Sequence, residues 1–105
     1  MTSTIEIEQE LDGCVLGFVE LPVRPYAEGC ESSQVAYLEG WYVDQSVRKR
    51  GVRRALVSAA ETWAREHGYT EFGSDADPDN STSVAAHRAL GFEDAGTIRC
   101  FKKKL

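Results

Sequence analysis

The chain begins with a strict alternation. In TIEIEQEL (4–11), Ile5 and Ile7 fall on one face and polar residues on the other, the pattern of a half-buried strand. Asp12-Gly13 is a hairpin turn signal. CVLGFVELPV (14–23) reads as the returning strand, limited at its far end by Pro22 and Pro25. AEGCESSQ (27–34) is a loop by composition. VAYLEGWYV (35–43) is the most strand-like run, rich in β-branched and aromatic residues.

From Val52 the period changes. Val52, Ala55, Leu56, Ala59, Ala60 and Trp63 fall on one helical stripe, and Gly68 after His67 predicts the helix stop. YTEFGSDA (69–76) returns to strand. DPDNSTS (77–83) is a turn leading into a capped helix start. VAAHRAL (84–90) predicts a short helix ended by Gly91, and FEDAGTIRCFKKKL (92–105) a closing strand or broken strand. The strand–helix–strand middle predicts parallel neighbours joined by a right-handed crossover, and the hairpin makes the sheet mixed. The class is α/β (α+β). With 105 residues and no repeat, linker or low-complexity segment, residues 1–105 are expected to form one domain.

Composition narrows the function. Apolar residues make up 42% and charged residues 28%, the profile of a globular chain. A net charge of -5 argues against general nucleic-acid or anionic-membrane binding. No apolar run is long enough to span a bilayer, and MTSTIEIEQE lacks the regions of a secretory signal. Cys14, Cys30 and Cys100 match no metal or redox spacing. They read as reduced, inert buried thiols in a cytoplasmic protein.

Against this acidic background, five of the seven residues 48–54 are basic. Arg48, Lys49 and Arg50 precede Gly51, and Arg53 and Arg54 follow Val52. Because the segment joins a strand to a helix start, its backbone N–H groups lack intrahelical partners and suit phosphate. Gly51 permits a close approach or an unusual backbone angle, and arginines add charge-assisted bonds. A solvated basic helix face is the plain alternative. Cations at a helix N-terminus cost roughly 0.3–1 kcal/mol each, so several together point to a compensating anion. Neither a Walker loop nor a Gly-x-Gly-x-x-Gly fingerprint is present.

YVDQSVRKRGVRRALV (42–57) resembles the acetyl-CoA loop of the GNAT superfamily of N-acetyltransferases, Arg/Gln-x-x-Gly-x-Gly/Ala between a strand and a long helix. Arg48 and Gly51 match. Arg53 departs, because the family prefers a small residue there; its side chain must swing away or make its own phosphate contact. The segments 29–43, 71–83 and 87–105 are similar to aminoglycoside 6′-N-acetyltransferases. The resemblance covers nearly the whole chain. It implies a mixed, mostly antiparallel sheet around a central strand–helix–strand–helix unit that holds acetyl-CoA as co-substrate. Family members normally carry a strand and two helices before the hairpin, so it also implies an N-terminally shortened form. Either the chain is a shortened natural form, or a partner chain supplies the cover of the sheet edge; an uncovered edge strand invites association, so a homodimer is expected.

Direct attack by a small cationic amine needs a proton acceptor, oxyanion donors and a group to protonate the thiolate. Strict alternation places Glu39 on one face with Val35, Tyr37, Trp41 and Val43, where burial would strengthen it as a base. The alternative is a surface glutamate. In the family the matching Glu lies at the acceptor amine, so Glu39 is expected to hold the ammonium or act as base. Asp75 ends the next strand in an acidic run with Glu71, Asp77 and Asp79, at a strand end that favours ligands. Asp75 is expected to contact the substrate, and Asp77 and Asp79 to form the turn.

Asn80 reads as a helix cap. The resemblance adds a contact to the pantetheine arm, the cap using local backbone and the contact the side chain. His87 stands where many relatives carry a Tyr proposed as general acid near the cofactor sulfur; a His merely packed there is the other reading. Trp41, Tyr42 and Val43 would offer backbone groups to pantetheine, and Arg48, Lys49, Arg50, Gly51, Val52 and Arg53 would cradle the pyrophosphate. No metal is implied. The alternative function is an acyl-CoA-binding module with faded catalysis.

Overall fold

The structure, a computed structural model, describes residues 4–11, 13–48 and 50–105. The turn reading of Asp12 and the phosphate reading of Lys49 lie outside them. Two compact units divide at Asp75/Ala76.

The first unit follows the predicted order. Strands β1 (Ile5–Leu11) and β2 (Cys14–Leu21) form the antiparallel hairpin, with a register shift between Gln9 and Glu10. Proline limits β2 as expected: after Pro22 only Val23–Arg24 (β3) is strand. The run 35–43 is not one strand. It breaks at Glu39 into β4 (Val35–Leu38) and β5 (Gly40–Val43). All four β4 residues are buried, so β4 lies between two strands, antiparallel to β3 and parallel to β6 (Phe72–Ser74). β5 leaves that sheet and closes a second one, β1-β2-β5, entirely antiparallel. Backbone bonds from Tyr37 N–H to Pro22 O (2.9 Å) and Glu39 N–H to Glu20 O (3.0 Å) stitch the two sheets at the split.

Between β5 and β6 runs α1 (Val52–Glu66), after a 3-10 turn at Gln45–Val47. Its buried positions are Val52, Leu56, Val57, Ala60 and Ala64. The buried stripe is therefore rotated from the expected one: Ala55 and Ala59 face solvent, and Trp63 is half-buried. Val57 and Ala64 take their places, because the larger Val57 buries more apolar surface than Ala55. With Val19 and Leu21 of β2 and Val35, Leu38 of β4, these residues make the core. Each buried aliphatic side chain contributes roughly 1.5–3 kcal/mol.

Gly17 allows this packing. A Cβ there would lie 2.5 Å from the Tyr42 carbonyl oxygen and 3.1 Å from Leu56 Cδ1, so only glycine lets β2 approach both β5 and α1.

The expected strand 69–76 shortens to Phe72–Ser74, since its partner β4 offers only Ala36–Leu38 for pairing. β4 and β6 are the predicted parallel neighbours, in a mixed and mostly antiparallel arrangement.

The second unit carries α2 (Ser81–Ala89), three residues longer at its start than the apolar pattern 84–90 suggested, because Asn80 caps it. Residues 93–105 form no strand and are exposed. Ile98 and Phe101 are 62% and 88% exposed, so the alternation there has no face to bury.

Candidate functional site

Glu39 and Asp75 project from matching places. Leu38 and Ser74 are paired in register on parallel β4 and β6, and Glu39 and Asp75 each come one residue later. Two carboxylates thus leave the carboxyl ends of adjacent parallel strands, where ligands bind in open α/β sheets. The expected burial of Glu39 among apolar neighbours is not found. The chain breaks at Glu39 as it passes from one sheet to the other, so strict alternation fails and the side chain is exposed.

Two residues that carried no functional signal in the sequence organise this end. Arg24 Nη2 bonds Glu39 Oε2 at 2.5 Å. The same guanidinium lies 3.6 Å from the centroid of the Tyr37 ring, a cation–π contact. Tyr37, 6% exposed, donates its hydroxyl to Asp75 Oδ2 at 2.5 Å. Gly73 makes room for the ring, since a Cβ there would lie 2.9 Å from Tyr37 Cδ2 and 3.0 Å from Ala27 Cβ. Burial, and then the bond to Asp75, push the Tyr37 phenol well above its ordinary pKa. Only the position of Tyr37 beside Glu39 in a period-2 pattern hinted at it. Arg24, between two prolines, had no signal at all.

The acidic run around Asp75 does not act together. Glu71 pins the loop before β4: its carboxylate accepts from Glu31 N–H (2.9 Å), Ser32 N–H (2.7 Å) and the Ser32 hydroxyl. The Ser32 bonds hold the Glu71 carboxyl below the usual range. Asp77 accepts from Asp79 N–H (3.0 Å), the expected turn role. Asp75 is the residue of the run that strand register sets beside Glu39.

Trp41, Tyr42 and Val43 lie on β5, the last strand of its sheet. Asp44 caps the 3-10 turn, accepting from Ser46 N–H (2.9 Å) and the Ser46 hydroxyl (2.6 Å). These bonds to Ser46 hold its carboxyl below the ordinary value. Arg48 Nε reaches back to Val43 O at 3.3 Å, tying the basic loop to β5.

Gly51 is the α1 N-cap at φ +81°, with no side-chain cap bond and no acidic residue in the first turn. With neither there, the helix start suits an anion. A Cβ at Gly51 would meet nothing within 4 Å, so the left-handed backbone requires glycine and no protein neighbour does. Val52 is buried beneath this turn, and Arg50 is exposed. Arg53, exposed, sets its guanidinium 5.8 Å from the Trp41 ring centroid. Its bulk is therefore turned toward Trp41.

In the second unit, Asn80 Oδ1 accepts from Ser83 N–H at 3.0 Å. The cap thus uses the side-chain oxygen, where backbone was expected, and a ligand contact would fall to the amide Nδ2. His87 Nδ1 lies 2.7 Å from Ser83 O. A carbonyl only accepts, so Nδ1 carries hydrogen. The His87 ring meets Phe92 edge-on at 5.3 Å.

No group of three His, Cys, Asp or Glu among the described residues is placed to hold a metal ion, and no described helix is long and apolar enough to cross a membrane. Of the thiols expected to be buried, Cys14 and Cys100 are exposed, because they sit at a hairpin end and in the strandless tail. Cys30 is partly buried against Ala27, Val35 and Tyr37.

Residues 5–92 match the profile of the Acetyltransferase (GNAT) family. The chain is 57% identical over 94 residues to the aminoglycoside N(6')-acetyltransferase type 1 of Klebsiella aerogenes, covering 90% of this chain and 62% of that protein. It is 39% identical over 94 residues to the enzyme of the same name from Salmonella typhimurium, covering 89% and 65%. The chain thus spans less than two thirds of the length of these curated relatives.

Among solved structures, AAC(6')-Iy with the bisubstrate analogue CoA-S-monomethyl-acetylneamine superposes at TM-score 0.91 and 36% identity, over 97% of this chain and 70% of that one. The 6'-N-acetyltransferase AAC(6')-IG from Acinetobacter haemolyticus does so at TM-score 0.90 and 38% identity, over 97% and 71%. The family match over most of the chain, on a fold that these structures share, means that the chain belongs to the GNAT family of acetyltransferases.

Proposed function

We propose that the protein transfers an acetyl group from acetyl-CoA to a primary amine of a small cationic, aminoglycoside-like acceptor, by direct attack. The observation that carries this reading is the register of β4 and β6, which sets Glu39 and Asp75 side by side at two parallel strand ends. Two adjacent carboxylates suit an acceptor with several ammonium groups. The relatives' names and the bound CoA-aminoglycoside analogue of one structure support the same acceptor class.

The residues present fit the co-substrate. Gly51 exposes a helix start with no side-chain cap and no acidic residue in its first turn. Arg53 is turned toward Trp41. Arg48, Arg50 and the N–H groups from Gly51, Val52 and Arg53 would hold the pyrophosphate, with Lys49 added from sequence. Edge strand β5 would pair through Trp41, Tyr42 and Val43 with the pantetheine arm. When bound, acetyl-CoA supplies the thioester carbonyl that the amine attacks.

Glu39 takes the ammonium proton, directly or through water, and Asp75 holds a second ammonium of the acceptor. The family resemblance assigns Asn80 to pantetheine and His87 to the leaving sulfur. With its Nδ1 hydrogen on Ser83 O, His87 as the imidazolium would deliver its Nε2 proton to the leaving thiolate and be left as the neutral Nδ1–H form. Residues 1–105 acting as a single domain, a homodimer covering the β1 edge and a cytoplasmic location belong to the same proposal.

Titration with CoA, followed by free-thiol detection with kanamycin and acetyl-CoA, tests it. Thiol release that Glu39→Gln reduces at least tenfold is the expected result. CoA binding without release from any amine would instead favour an acyl-CoA-binding module.

A further inference from the structure

We propose that Arg24 is a specificity-determining residue of the acceptor site: it stands in for the acceptor's ammonium on Glu39 and is displaced when an acceptor binds. The inference rests on the acetyltransferase reading for the identity of the acceptor, though not for the geometry.

Three observations converge. First, Arg24 Nη2 is 2.5 Å from Glu39 Oε2, the same carboxylate expected to meet the amine. Second, that pair lies at the surface, with side-chain exposures of 38% and 47%. An ion pair this exposed is weakly held, so a ligand can open it. Third, the guanidinium has a fixed seat. It lies 3.6 Å from the centroid of Tyr37, which is buried and anchored at its far end to Asp75. Arg24 is itself held in β3, paired with Val35, and followed by Pro25. A guanidinium stacked on an anchored ring can leave Glu39 by a small side-chain rotation.

This arrangement places one positive charge on Glu39 and over the ring whose hydroxyl bonds Asp75. It neutralises Glu39 in the absence of acceptor, and it sets a condition on what binds. An acceptor that brings a cation to Glu39 replaces Arg24 at little net cost. An acceptor with only hydroxyls there meets a closed pair. A second ammonium at Asp75 adds to the displacing power by bivalence.

A merely structural Arg24 predicts the opposite effect of its removal. If Arg24 only orients Glu39, losing it disorders the carboxylate and weakens acceptor binding. If it competes, losing it frees the carboxylate and tightens binding.

The experiment is kanamycin binding by calorimetry to the CoA-saturated protein, for wild type, Arg24→Gln, Arg24→Lys, Glu39→Gln and the double variant Arg24→Gln/Glu39→Gln. Arg24→Gln is expected to bind about three- to fivefold tighter, the scale of one exposed ion pair. Its affinity should fall more steeply with salt, since the site gains a negative charge. Arg24→Lys keeps the competing charge and should stay near wild type, which guards against a folding artefact. In the Glu39→Gln background the gain from Arg24→Gln should vanish.

Unchanged or weaker binding in Arg24→Gln, or a gain that persists without Glu39, overturns the proposal. Parallel thiol-release assays separate the two readings. Absent turnover in wild type with these binding shifts intact defeats the enzymatic reading and leaves the role of Arg24 standing.

Discussion

The Tyr37 hydroxyl donates to Asp75 Oδ2 at 2.5 Å, tying a buried residue of β4 to an exposed carboxylate just past the end of β6. The bond crosses between parallel strands near the place where the second carboxylate, Glu39, leaves β4. It therefore couples core packing to the geometry of the proposed acceptor site.

Tyr37→Phe keeps the ring against Gly73 and beneath Arg24 but removes this bond. A hydrogen bond to a charged group contributes about 1.5–3 kcal/mol. The urea midpoint should fall accordingly. The pH dependence has a definite sign. The phenol is raised above 10.0 by burial and then by Asp75, so the folded state keeps a proton that the unfolded chain releases. Its stabilising contribution is full below about pH 10 and is lost as the pH rises beyond it. Ultraviolet titration should show the latest tyrosine transition lost in the variant, while Tyr26, raised by the Glu28 charge, keeps its own.

Glu71→Ala should release the loop before β4. Amide exchange at Glu31 and Ser32 should speed at least tenfold, with little change elsewhere, because Glu71 accepts both N–H groups. The Glu71 carboxyl is held below 4.5 chiefly by Ser32. The anchor is therefore complete above that value and is lost as the pH falls through the lower folded one. In the wild type, the same two amides should lose protection on acidification.

Two glycines should fail for different reasons. Gly17→Ala places a Cβ 2.5 Å from a backbone oxygen and should cost about 3 kcal/mol, since β2 and β5 must move apart. Gly51→Ala meets no neighbour and should cost only about 1 kcal/mol for its left-handed backbone. CoA binding should nevertheless weaken more in Gly51→Ala, measured with both proteins fully folded at low temperature. Equal CoA affinities would count against the proposed pyrophosphate cradle.

Arg53→Ala should change CoA affinity less than tenfold, because its guanidinium already lies toward Trp41. It should shift Trp41 fluorescence in the protein without ligand. A large loss of affinity would mean that Arg53 leaves Trp41 to clasp phosphate.

The amino-acid sequence by itself determined the hairpin, the helix after Gly51, the parallel neighbours around it and the family. These follow from local periodicity, turn chemistry and a short motif, which act over a few residues. It also picked out Glu39 and Asp75. It could not show the break at Glu39, because a run of β-branched and aromatic residues looks continuous until two different partners, β2 and β6, claim its halves. Nor could it show that Glu71 is spent on the loop before β4, or that residues 93–105 form no strand. Above all, Arg24 lies 15 positions from Glu39, and Tyr37 lies 38 from Asp75. Those contacts depend on strand register, a tertiary quantity set by which strands pair and how Gly73 lets a ring lie across them.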